Sequence, residues 1–252
     1  MKNFLKSYWK TLAFFTLAGI IGGFFVGLYL LESYPADIVQ QILDQGLTPF
    51  TLGLLTACQS AGYGLVLGAL GIVLAKKVGL WRDEKHFAKK PLMAAIIVAI
   101  IGGLGIILPD LLYFGNYIPA VRDSYLVKPN IATIIGSIIY GGVIEEVMLR
   151  LFLMSLIALI LHKIFGKSKE KPALWMLVTA NIVAALLFAA GHLPTTYMLM
   201  GITPMILIRC FLLNGTFGLL FGWLYRKYGL RYAMVSHAGC HVISKAIWIL
   251  FV

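Results

Sequence analysis

The sequence predicts an all-α, polytopic transmembrane bundle of seven to eight helices enclosing a buried polar site. Three observations predict it. Hydrophobic residues make up 60% of the 252 positions and charged residues only 12%, about half the charged share of a soluble domain, and the mean hydropathy is +0.91. The apolar residues fall into runs long enough to cross a hydrocarbon core of roughly 30 Å. The basic residues collect in alternate connections between those runs.

Helices are expected near 11–31, 50–75, 92–114, 131–161, 173–191, 204–225 and 232–252. The first follows a basic start but has no small-x-small cleavage site after it, so it reads as a retained helix rather than a removed signal peptide. The connection after it carries Glu32, Asp37 and Asp44. The second and third helices are joined by a segment with Lys76, Lys77, Arg82, Lys85, Lys89 and Lys90, and Asp110 lies near the far end of the third. The 115–130 connection is an aromatic, polar loop with Tyr117, Tyr125 and Asn130. The fourth helix holds Glu145, Glu146 and Arg150, and Lys163, Lys167, Lys169 and Lys171 follow it. The fifth ends at His192, before Leu193-Pro194. The sixth contains Arg209, Arg226, Lys227 and Arg231 follow it, and the seventh carries His237, His241 and Lys245. Cys58, Cys210 and Cys240 lie in apolar segments without ligand pairing and read as structural filler.

With the N-terminal Lys2, Lys6 and Lys10, one set of connections holds 16 of the 21 Lys and Arg, and the other set holds only Arg122 and Lys128. The positive-inside rule then predicts a multi-pass protein of the cell membrane with a cytoplasmic N-terminus and an external C-terminus. The net charge of +11 is therefore a topology signal with the lipid bilayer as its contact, not a nucleic-acid footprint. No linker or repeat divides the chain, so 1–252 reads as one membrane domain.

An ionised side chain in hydrocarbon costs a contested ~3 to ~15 kcal/mol, so intramembrane charges are functional candidates. Glu146 and Arg150 stand at i, i+4 in the favourable order, so Arg150 can neutralise Glu146. Glu145 sits about 100° around the helix and is left free to act as a general base. Pairing of both acids with Arg150 to lock helix packing is the simpler alternative. His237 and His241 are also i, i+4 and project from one face, which suits two metal ligands or two oxyanion donors. Phe188 and His192 share that spacing.

The ordered series E-E-x-x-x-R, F-x-x-x-H and H-x-x-x-polar, each in its own helix, resembles the type II CAAX prenyl endopeptidase family, also called Abi or CPBP, and in particular its bacterial members. The likeness covers 131–245, the family-like catalytic core. Family members are multi-pass proteases that, in eukaryotes, remove the C-terminal tripeptide of prenylated proteins; many bacterial members are linked to bacteriocin self-immunity or protein maturation. The resemblance implies that Glu145 activates water, that His192 acts on the same water, and that His237 is the third-motif His. Glu146, Arg150 and Phe188 match supporting positions. His241 stands where the family usually has Asn or Asp, a position assigned to holding an oxyanion. A His there can also donate, or can strengthen a zinc site formed by Glu145, His192, His237 and His241, so zinc and a metal-independent water both remain open. The implied partner is a peptide or protein substrate, lipidated or membrane-embedded.

Two other functions compete with hydrolysis. Glu and His chains also line transporters and proton relays, although no second copy of the motifs marks an internal repeat; a non-catalytic immunity or scaffold protein could keep the same fold. One geometric conflict accompanies the protease reading. Straight helices would leave His192 and His237 roughly 20 Å apart in depth. A break is therefore expected, and Pro194 and Gly201 place it at 192–203.

Overall fold

The computed structural model describes residues 2–83, 86–166 and 170–252; Lys85, Lys167 and Lys169, counted above among the basic residues, lie outside them. Among the described residues every regular element is helical. In chain order these are α1 (Lys2–Ser33), α2 (Ala36–Asp44), α3 (Pro49–Lys77), α4 (Lys89–Tyr117), α5 (Pro119–Ser124), α6 (131–165), α7 (Leu174–Gly191), α8 (Leu193–Met200), α9 (Pro204–Tyr228) and α10 (Leu230–Phe251).

Among the described residues six stretches are long and apolar enough to cross a membrane: α1, α3, α4, α7 continued by α8, α9 and α10. The outward-facing side chains include Phe14, Leu55, Ile101, Leu187 and Ile208. A surface of that kind is stable against lipid and not against water. The chain is a multi-pass membrane protein, with α6 as a further helix whose Glu145, Glu146 and Arg150 point inward.

The helices run past the apolar stretches that reveal them in the sequence. Helix α1 starts at Lys2, not near 11, and α9 reaches Tyr228. Hydropathy marks only the lipid-facing part of a helix, whereas the backbone ladder continues until a glycine or proline stops it. Gly229, at φ +108°, is such a stop between α9 and α10. The 115–130 connection, expected as a loop, contains α5.

Glycines let the helices approach. Gly19, Gly23 and Gly27 form one stripe of α1, four residues apart, and α3 lies against it, with Thr56 Oγ1 donating to the Gly23 carbonyl at 2.7 Å. Gly102 and Gly103 of α4 receive Cys240 and Ile243 of α10 in the same way. Basic ends gather on one side of the bundle. There Lys76 Nζ donates to the Tyr8 hydroxyl at 2.9 Å, Arg82 Nη2 donates to the Lys227 carbonyl at 3.0 Å, and Phe87 meets Tyr232 edge-on. At the other end Lys128 caps the carbonyls of Trp248 and Ile249, and Asn130 hydrogen-bonds Glu32.

Candidate active site

The segment carrying the two glutamates is not a regular α-helix. Within α6 the stretches Ser137–Glu145 and Val147–Met154 are π-helical, a wide form that is rare and concentrates at functional sites. Gly141 and Gly142 stand just before the glutamates. A methyl group on Gly142 would fall 2.6 Å from the Ala238 Cβ, so α6 and α10 touch almost backbone to backbone at this level. That approach brings Glu145 and Glu146 to His237.

The two neighbouring carboxylates occupy different surroundings. Glu146 is fully buried: Arg150 Nη1 lies 3.0 Å from its Oε1, and His237 Nδ1 lies 2.9 Å from that same oxygen. The Arg150 contact is close but not aligned for a hydrogen bond at Nη1; its aligned bond runs from Nη2 to the Gly218 carbonyl at 3.1 Å. The guanidinium is sandwiched by the Phe188 and Phe221 rings, with centroids 4.7 and 5.4 Å away. Each ring offers its negative face to the cation. Glu145, by contrast, keeps 19% of its side chain exposed, and its Oε2 lies 3.7 Å from His237 Nε2, beyond direct hydrogen bonding.

Two of the histidine tautomers follow from these partners. The Phe188 carbonyl can only accept, so His192 Nδ1, 2.8 Å from it, carries the proton and leaves Nε2 to face the cavity. His237 Nδ1 donates to the Glu146 carboxylate on the same reasoning. The His237 ring stacks on Phe221 at 4.4 Å and on His241 at 5.1 Å. A methyl group on Gly141 would lie 2.6 Å from His241 Nε2 and 3.4 Å from His237 Nε2. Both ring nitrogens therefore converge on the space that this glycine leaves empty.

Glu145, His192, His237 and His241 all line one cavity of about 420 Å³. A second, more apolar cavity of about 610 Å³ shares Glu145 and His192 with it and is walled by Leu30, Leu149, Leu153 and Leu187. Glu145 and His192 thus stand where the two spaces meet. Glu146 and Arg150 lie behind the wall.

The depth conflict is resolved at the expected place. Helix α7 ends at Gly191, α8 occupies Leu193–Met200, and Gly201 turns the chain at φ +71°. His192 sits on the break and folds back over Phe188, ring centroids 4.7 Å apart, while His237 meets the same ring edge-on at 6.0 Å. Helix α10 also begins at Leu230, earlier than expected, which carries His237 deeper into the bundle.

One cluster at the cavity was seen in the sequence only as isolated charges. Arg209, on the cavity wall, makes a two-point ion pair with buried Asp110, Nε to Oδ1 at 2.6 Å and Nη2 to Oδ2 at 2.5 Å, and Tyr125 donates to Asp110 at 3.0 Å. Burial first, then the Asp110 charge, pushes the Tyr125 phenol far above its ordinary range, so it stays a donor. Opposite lone charges in two apolar helices were the signal available. Tyr140, Thr195 and Asn214 also line the cavity without having been singled out.

A catalytic zinc needs three protein ligands and an open position. Among the described residues no three His, Cys, Asp or Glu side chains come together closely enough to hold a metal ion. As placed, the residues do not make that ligand set.

Residues 127–243 match the family model described as type II CAAX prenyl endopeptidase, Rce1-like. The match runs from just before α6 into α10 and includes every residue of the Glu/His cluster. At the level of the family, the matched segment is similar to CAAX-type membrane protease domains. No curated protein and no solved structure matches the chain.

Proposed function

We propose that the chain is an intramembrane endopeptidase in which Glu145 activates the water that attacks a peptide carbonyl. The observation that carries this reading is the unequal placement of the adjacent glutamates. Glu146 is sealed between Arg150 and His237, whereas Glu145 opens on the cavity beside two histidines. The Rce1-like match over 127–243 supports endopeptidase as the reaction class.

In the proposed reaction, water lies between Glu145 and His192 Nε2. Glu145 takes a proton from it as the oxygen bonds to the scissile carbonyl carbon. The carbonyl π pair moves onto oxygen, where His241 donates to the oxyanion through Nε2–H, beside the His237 ring that Glu146 holds through Nδ1–H. When the C–N bond breaks, Glu145 returns its proton to the leaving amine. The charges balance throughout. The negative charge that leaves Glu145 reappears on the oxyanion, so the step creates no net charge where it would be expensive.

The substrate is a peptide or protein reached within the bilayer, and the apolar cavity beside Glu145 suits a lipidated or strongly hydrophobic segment. The basic end is assigned to the cytoplasm by the positive-inside rule, with the C-terminus outside. The test is cleavage of a panel of peptides, prenylated CAAX-type peptides among them, by purified protein in bilayers. Wild type should release a C-terminal fragment that Glu145→Gln and His237→Ala do not, with all three equally folded. Full cleavage by both variants would end the protease reading.

A further inference from the structure

A second pocket lies at the basic end of the bundle, among residues unrelated to the Glu/His cluster. It encloses about 440 Å³ between α1, the 80–83 segment and the α9–α10 turn, a size typical of small-ligand sites. Its inner wall is apolar, formed by Phe14, Phe15, Leu80 and Met234. Phe14 is also exposed on the outer surface, so that wall continues into the lipid-facing exterior.

The rim is polar and carries both signs. Arg82 is anchored by Nη2 on the Lys227 carbonyl at 3.0 Å, and its stem passes over Gly229, where a side chain would crowd it. Asp83 accepts from the Trp81 indole at 2.6 Å through Oδ1. Trp81 packs edge-on against Tyr8, which accepts from Lys76, and Lys227 lies 5.1 Å over the rings of both Trp223 and Tyr228. Aromatic rings interleaved with lysines mark headgroup depth in a membrane protein.

From an apolar wall open to the bilayer and a rim of adjacent opposite charges, we propose that this pocket holds a phospholipid with a phosphoethanolamine headgroup. The phosphate lies on Arg82, the ammonium donates to Asp83, and an acyl chain follows Phe14, Phe15 and Met234. Arg231 lines the same pocket, so the phosphate has a second cation nearby, and a headgroup without an ammonium leaves the Asp83 carboxylate with no donor from the lipid. A choline headgroup has no N–H to donate to it.

The test uses purified, delipidated full-length protein and phospholipids of matched chains, with bound lipid counted by native mass spectrometry. Phosphatidylethanolamine should be retained about tenfold better than phosphatidylcholine, the worth of one charge-assisted contact at a partly solvated rim. Asp83→Asn should erase that preference, and Arg82→Gln should weaken retention of both lipids. Met234→Trp, which fills the apolar wall, should remove retention whatever the headgroup. Equal retention of the two lipids by wild type, better retention of phosphatidylglycerol, or an unchanged preference in Asp83→Asn or Met234→Trp would each overturn the proposal. So would equal thermal stabilisation by soluble phosphoethanolamine, which has no chain to place.

Discussion

His237 hydrogen-bonds Glu146 through Nδ1 at 2.9 Å, on the same carboxylate oxygen that Arg150 approaches to 3.0 Å. Arg150, Glu146 and His237 therefore form a chain that fixes which ring nitrogen faces the cavity, and Glu145 stands outside it.

That separation makes the two glutamates distinguishable by mutation. Glu145→Gln should lower kcat by about 10²–10⁴, the usual contribution of a general base, and leave thermal stability near wild type. Glu146→Gln should lower both, because it strands the Arg150 charge in the core. Activity assays paired with thermal unfolding separate the cases, and equal stability losses in the two variants would contradict the assignment.

Arg150 is held by shape as well as charge, between two aromatic rings and with a bond to the Gly218 carbonyl. Arg150→Met should cost about 3–5 kcal/mol, as expected for removing one partner of a buried ion pair. Arg150→Lys should recover little of it, since an ammonium cannot stack on Phe188 and Phe221 while reaching both Glu146 and Gly218. Unfolding of the three proteins in the same detergent gives the comparison.

Gly141 is the cheapest probe of the histidine pair. Gly141→Ala puts a methyl 2.6 Å from His241 Nε2, and a displacement of that kind costs on the order of 10²-fold in rate. Gly62→Ala is the control. Its methyl would meet no neighbouring group, and replacing a helical glycine should stabilise by up to about 1 kcal/mol. Similar activities in the two variants would mean that the space beside Gly141 is not used.

His241 tests the metal-independent mechanism. His241→Asn keeps a donor and should retain most activity, whereas His241→Leu should lose it. Incubation with a chelator, followed by elemental analysis, should leave the rate unchanged with no stoichiometric zinc. Loss of activity on chelation, restored by added zinc, would replace the water mechanism by a metal one.

Much of the site was legible because membrane burial makes polar residues conspicuous. The i, i+4 relation of Glu146 to Arg150 and the clustering of His192, His237 and His241 in the acidic half of the chain needed only helical spacing. The partner that Glu146 gains from His237 was not legible, since it depends on how closely α6 and α10 approach at Gly141, Gly142 and Ala238. The π-helical form of 137–154 has no periodicity that apolar residues on all sides could display. Asp110 and Arg209 were visible singly, but their pairing across α4 and α9 required knowing that those helices are neighbours at that depth.

The charges inside α6 also bear on how the protein is made. Six of the long helices are apolar enough to partition into lipid as they leave the ribosome, but a segment holding Glu145, Glu146 and Arg150 gains far less from doing so, at about +2.5 to +3.5 kcal/mol for each charge near its centre. The Gly218 carbonyl and the His237 ring that satisfy these groups belong to α9 and α10, which are synthesised afterwards. Helix α6 must therefore wait, partly inserted or shielded by α1 and α3, until the C-terminal hairpin arrives, which makes the last quarter of the chain a condition for assembly of the middle.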